Sequence, residues 1–166
     1  MASDSIRALA TGAAATAVLS VAAGFALVRA NDHPPAVGPE LATYMGELQH
    51  QTHKLNLSIE AENPKLADFY LDEVGEVADQ IERLFPQHEG VPVGELARAM
   101  LDPPLHSLHG AIESERWDEA RTGMSGLVAS CNACHAAAGH GFIEVEVTKT
   151  NPFNQSFAAP DAKPRP

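Results

Sequence analysis

The only two cysteines of the chain stand three positions apart, and a histidine directly follows the second: Cys131-Asn132-Ala133-Cys134-His135. No other stretch restricts the fold as strongly. A Cys-x-x-Cys-His run has the form of a c-type haem attachment site. Its two thiols add across the porphyrin vinyl groups, and the next imidazole reaches the iron. Other chemistries fit less well. A thioredoxin-type redox pair sits near a βαβ pattern, and none is visible in this sequence. A structural zinc site takes four ligands; the motif offers three at most, and no second Cys/His pair accompanies it. The chain is therefore expected to bury one porphyrin beside residues 131–135 and to decide what faces the iron from the other side.

Composition agrees with that demand. At 166 residues the length fits one domain with extensions. Aromatic residues make up only 5%, so the core is thin in large rings and a haem would supply one. The net charge of −11 and pI near 5.0 argue against nucleic-acid binding, which needs a basic patch. The same charge serves solubility, and it steers association toward a basic partner.

Residues 1–30 differ from the rest. A short polar start ends at Arg7, and an uncharged run rich in Ala, Val and Leu extends from Ala8 to Val28. Val28-Arg29-Ala30 has the small-residue spacing of a signal-peptidase site. The run is also long enough to cross a bilayer, which takes ~20 residues. The segment is thus a signal peptide cleaved after Ala30, the reading preferred here, or a retained N-terminal anchor. Either places the remainder in the periplasm, and membrane association follows only if residues 1–30 stay attached. Residues 31–38, with two prolines and a glycine, read as a linker.

Four amphipathic segments follow. Leu41, Tyr44, Met45, Leu48, Thr52, Leu55 and Ile59 form one stripe, predicting a helix over about residues 39–62. Asn63-Pro64 supplies an N-cap and a first-turn proline for a second helix over 64–85. A third region over 94–114 carries Asp102-Pro103-Pro104. Proline removes a helical hydrogen bond, so a break is expected there, with a restart capped by Asp102. The fourth helix, over 115–138, puts Trp117, Ala120, Met124, Leu127, Cys131, Cys134 and His135 on one face, with Gly139 as its C′ residue. Phe142 to Val147 alternates and reads as an extended piece lying against the helices. Residues 143–166 read together as an extended, disordered tail, mobile from 148 onward. The fold expected is all-α: an up-down-up-down four-helix bundle over 39–142, preceded by the signal or anchor helix and followed by the irregular tail.

Four helices with a single Cys-x-x-Cys-His near the end of the last resemble class II c-type cytochromes, the cytochrome c-prime-like bundles. The resemblance spans about residues 39–142 and rests residue by residue on Cys131, Cys134 and His135. It implies one covalent haem c with His135 as an axial iron ligand. Class I cytochromes carry the motif near the start of their domain, unlike this chain. Two departures from the c-prime group stand out. The extension after Phe142 is long, and the first helix begins without the basic residue that often meets the haem propionates there.

An up-down-up-down bundle sets the start of the first helix beside the end of the fourth. His135 lies ~6 Å from the end of the fourth helix, and Met45 ~9 Å into the first, so their levels agree. On a helical wheel Met45 is ~40° from Leu41, within the apolar stripe, whereas His53 lies ~120° away and His50 ~180° away. Met45 is accordingly the preferred sixth ligand, His53 the second candidate and an open position the third. Ordinary core packing is the alternative role for Met45. His33, His88, His106 and His109 are expected in solvent; His140, close to the motif, could touch a propionate, but an ordinary structural role is the reading preferred for it. Tyr44 is a candidate for the pocket wall and Trp117 for the core. No catalytic triad, phosphate loop or paired-carboxylate site is present in the sequence.

The resulting expectation is a non-enzymatic periplasmic mono-haem electron carrier. Its partners would be redox proteins with a basic docking surface, and a homodimer is left open. The alternatives are a gas-binding haemoprotein with an open sixth site, or a haem subunit of a larger periplasmic redox complex.

Overall fold

The structure is a computed structural model, and it describes residues 39–160. The expected signal or anchor segment, the 31–38 linker with His33, and residues 161–166 lie outside the described residues. Four helices follow in order: α1 (Leu41–Glu60), α2 (Pro64–Leu84), α3 (Val93–Glu113) and α4 (Trp117–Ala137). Among the described residues there is no strand, and no helix is long and apolar enough to cross a membrane.

The helices begin and end for local reasons. Asn63 caps α2, its side-chain oxygen accepting from the Leu66 N–H at 3.2 Å, and Pro64 opens the helix. The α1–α2 and α3–α4 turns repeat one device. Glu62 and Glu115 adopt left-handed backbone (φ 54° and 52°), and the next amide donates back across the turn, Asn63 to Ser58 and Arg116 to Ala111. Gly94 admits a close approach: a Cβ there would lie 2.9 Å from the Glu82 carbonyl oxygen, so its absence lets the start of α3 sit on the end of α2.

Consecutive helices pack broadly, α1 on α2, α2 on α3 and α3 on α4, while α1 meets α4 over a far smaller contact. That is the antiparallel four-helix bundle expected. Leu55, Ile59, Leu108, Ile112, Met124 and Leu127 are fully buried. They run from mid-bundle toward the two glutamate turns. At the other end, the narrow α1–α4 seam opens beside the cysteine motif.

Two expectations need correction. Helix α3 does not break at Asp102-Pro103-Pro104; both prolines are internal to one continuous helix. Asp102 and Pro103 are exposed, as is Ala99 one turn earlier. The two prolines withdraw amides from two carbonyls, those of Ala99 and Met100; neither residue is buried, so both carbonyls can be hydrated in place of the lost bonds. Nor is the stretch after α4 a mobile tail. Residues 143–160 are irregular but docked as a strap. The Thr148 carbonyl accepts from Asn56 Nδ2 and His53 Nε2, both at 3.2 Å, and Tyr70 Oη donates to Gln155 at 2.8 Å. Phe157 is buried at 6% exposure, and Asn63 Nδ2 donates to its carbonyl at 3.2 Å. Phe153 and Phe157 supply apolar burial that a polar composition hides.

Replacing Phe157 with Ala should therefore cost about 3 kcal/mol of unfolding free energy, the usual range for a buried ring. Urea denaturation would show it; an unchanged midpoint would mean the strap is loose after all.

Candidate haem-attachment site

The seam between α1 and α4 holds a cavity of about 440 Å³. That lies within the ordinary range for small-molecule and cofactor sites. Leu41, Met45 and Leu48 wall it from α1, Val93, Ala97 and Leu101 from α3, and Cys131, Cys134 and His135 from α4. The strap closes one side with Ile143, Glu144 and Val145. The lining is predominantly apolar, as a porphyrin face requires.

Three hydrogen bonds tie the motif to the strap. His135 Nδ1–H donates to the Ile143 carbonyl at 2.9 Å. A carbonyl can only accept, so the proton resides on Nδ1 and the lone pair on Nε2, the tautomer that ligates a metal. Asn132, inside the motif, takes both polar groups of one strap residue: its Nδ2 donates to the Val145 carbonyl at 3.1 Å, and its Oδ1 accepts the Val145 N–H at 2.7 Å. The chain reaches this position by a turn at Gly139 (φ 81°), the C′ glycine that ends α4. The His140 amide donates to the His135 carbonyl across that turn at 2.7 Å.

The thiols are quiet. Burial first, and the neighbouring Cys134 second, push the Cys131 thiol up to about 11; burial also raises Cys134. Redox-active and nucleophilic cysteines have lowered values, often at a helix N-terminus. Here both sit in the last turns of α4, where the helix dipole opposes a thiolate. Thiol–disulfide chemistry is thus disfavoured, whereas two apolar thiols and one imidazole on a common wall suit covalent haem. Among the described residues, no group of three or more His, Cys, Asp or Glu side chains is arranged to hold a metal ion directly.

Met45 lines the cavity together with the motif, whereas His50 and His53 do not. Both rings pack edge-on against Phe153, at 5.0 and 5.3 Å between centroids, and His53 also bonds the strap. His53 is therefore turned to the strap, on the flank its helical position gave it. Tyr44 packs against Phe85 at 5.4 Å instead of lining the cavity, and Trp117 packs against the core. His106 and His109 are exposed, as expected.

His88 departs from expectation. It is half-buried and lines the cavity. His88-Glu89-Gly90-Val91 forms a tight turn with positive φ at both central residues (50° and 82°), and His88 and Val91 exchange two 2.9 Å backbone hydrogen bonds. The Glu-Gly pair was the one available signal, since Gly at the third position of a type I′ turn is favoured. His140 also lines the cavity.

Comparison with protein-family models, curated proteins and solved structures returns no match.

Asn132→Ala should free the strap at the motif and destabilise the chain by ~1–2 kcal/mol, the scale of buried hydrogen bonds lost. Faster amide exchange at Val145 is the direct readout. In the haem-free chain, iodoacetamide should modify Cys131 slowly near neutral pH, with a rate midpoint at about 11; a midpoint below the ordinary thiol range would mark an activated cysteine instead.

Proposed function

We propose that this chain is a mono-haem c-type cytochrome of the class II, c-prime-like kind, working as a one-electron carrier in the periplasm. One observation carries the reading: Cys131, Cys134 and His135 share a single apolar cavity, and His135 Nδ1–H is already committed to the Ile143 carbonyl. That arrangement leaves Nε2 as the nitrogen for iron and holds the ring in one orientation. Cys131 and Cys134 would carry the thioether links.

When bound, haem supplies a ferric/ferrous couple that takes up or releases one electron. The protein's contribution is to hold, orient and exclude water. Leu41, Leu48, Val93, Ala97 and Leu101 give low-polarity walls. Met45, on the α1 wall, would be the residue to hold the iron opposite the motif, and its thioether would raise the reduction potential. Should Met45 serve only as wall, the apolar surroundings favour the alternative of a gas-binding site.

Production of the full chain in a host that attaches haem c decides between these. The expected product keeps one haem through denaturing electrophoresis and shows a low-spin spectrum in both oxidation states. Met45→Ala should then give a high-spin spectrum that responds to carbon monoxide. A wild-type protein already high-spin and carbon monoxide-reactive would overturn the simple carrier. Absence of covalent haem would overturn the cytochrome reading.

A further inference from the structure

A haem brings two propionate carboxylates with it, and this cavity offers them few positive groups. Among the described residues, no lysine or arginine lines it. Its polar lining consists of Gln49, Thr52, His88, His135, His140 and Glu144. An ionised carboxylate at an apolar wall needs a hydrogen-bond donor or open water, so these six side chains limit where a propionate can be met.

Four of them are already committed or carry the wrong charge. Thr52 Oγ1 donates to the Leu48 carbonyl at 2.7 Å. His135 gives Nδ1–H to the Ile143 carbonyl and keeps Nε2 for iron. Glu144 is an anion and repels another. His140 has its Nδ1 3.0 Å from the Ala138 carbonyl. That oxygen only accepts, so Nδ1 carries the proton and Nε2 of the neutral ring holds a lone pair. Neutral His140 therefore has no N–H left to give a carboxylate.

Gln49 and His88 remain. Gln49 is exposed on α1 and offers a neutral amide. His88 differs in two respects. It is half-buried, and its only hydrogen bonds among the described residues are the two backbone bonds that close the His88–Val91 turn. Its ring nitrogens are thus uncommitted: one donates in the neutral ring and both donate in the cation. Its support is also stiff. Glu89 and Gly90 hold φ at 50° and 82°, and both ends of the turn, His88 and Val91, line the cavity. A side chain carried on a closed turn has less freedom to lose when it binds.

We infer that His88 receives one haem propionate, donating a ring N–H to its carboxylate from the turn between α2 and α3. The inference rests on the haem reading of the cavity. It assigns to an imidazole on this turn the contact for which the start of the first helix supplies no basic residue. A donor bonded to an ionised acceptor is worth more than one in a neutral pair. The contact also ties the α2–α3 turn to a group that α4 otherwise holds.

Reversible binding tests this apart from haem attachment. Ferric mesohaem has saturated side chains and forms no thioethers; its dimethyl ester lacks the two carboxylate charges. Each is titrated into the haem-free full chain under reducing conditions and followed by its Soret band. Wild type should bind the diacid more tightly than the ester. His88→Ala leaves the backbone bonds of the turn in place and should weaken diacid binding about tenfold, the scale of one hydrogen bond to a charged group. Ester binding should fall by about twofold or less. His88→Gln, which restores an N–H, should recover most of the diacid loss, and His140→Ala should leave diacid affinity within about twofold. Equal losses of diacid and ester in His88→Ala would make His88 plain wall and overturn the inference. So would failure of His88→Gln to recover binding, or an equal diacid loss in His140→Ala. If neither porphyrin binds wild type, the haem reading itself falls and takes the inference with it.

Discussion

The hydrogen bond from His135 Nδ1–H to the Ile143 carbonyl is the contact on which the site depends. It fixes the tautomer of the imidazole and, through the same bond, the path of the chain after α4. Asn132 secures that path by gripping both polar groups of Val145. Metal-ligating histidines commonly commit their second nitrogen to a carbonyl or carboxylate. In this protein the partner comes from eight residues downstream. The strap thereby completes the cavity wall with Ile143, Glu144 and Val145, and it continues along α1 and α2 as far as Phe157.

Much of the architecture was legible because it is written in strong local signals. Asn63-Pro64 defines a helix start with an oxygen acceptor and a fixed φ, and both act as their chemistry requires. Gly139 marks the end of α4 because left-handed backbone is cheap only for glycine. The placement of Met45 on the motif's cavity followed from helical rise and rotation alone. These arguments use one helix at a time, or two whose antiparallel relation short turns enforce.

What the sequence hid depends on solvent or on distant partners. Pro103 and Pro104 look like a break, yet a helix tolerates the loss where water reaches the orphaned carbonyl, and exposure is not a local property. The strap reads as disorder because its anchors, Phe153 and Phe157, are thinly spaced among Asn, Gln and Ser. Their partners, His50, His53, Lys54 and Tyr70, lie far upstream. His88 was assigned to solvent since a loop residue has no wheel to orient it. Only the turn's two backbone hydrogen bonds aim it toward the cavity.

The narrow seam between α1 and α4 has a consequence for the order in which the molecule forms. The three broad helix contacts join neighbours in the chain and close short loops; this one must close around the whole of α2 and α3. Its entropic cost exceeds theirs and its contact is far slighter, so it is repaid after them as the chain folds. Both cysteines border that seam. A maturing chain therefore keeps its two thiols approachable longest, with three of its four helix interfaces already made, and closes them in only when its beginning and its end finally meet.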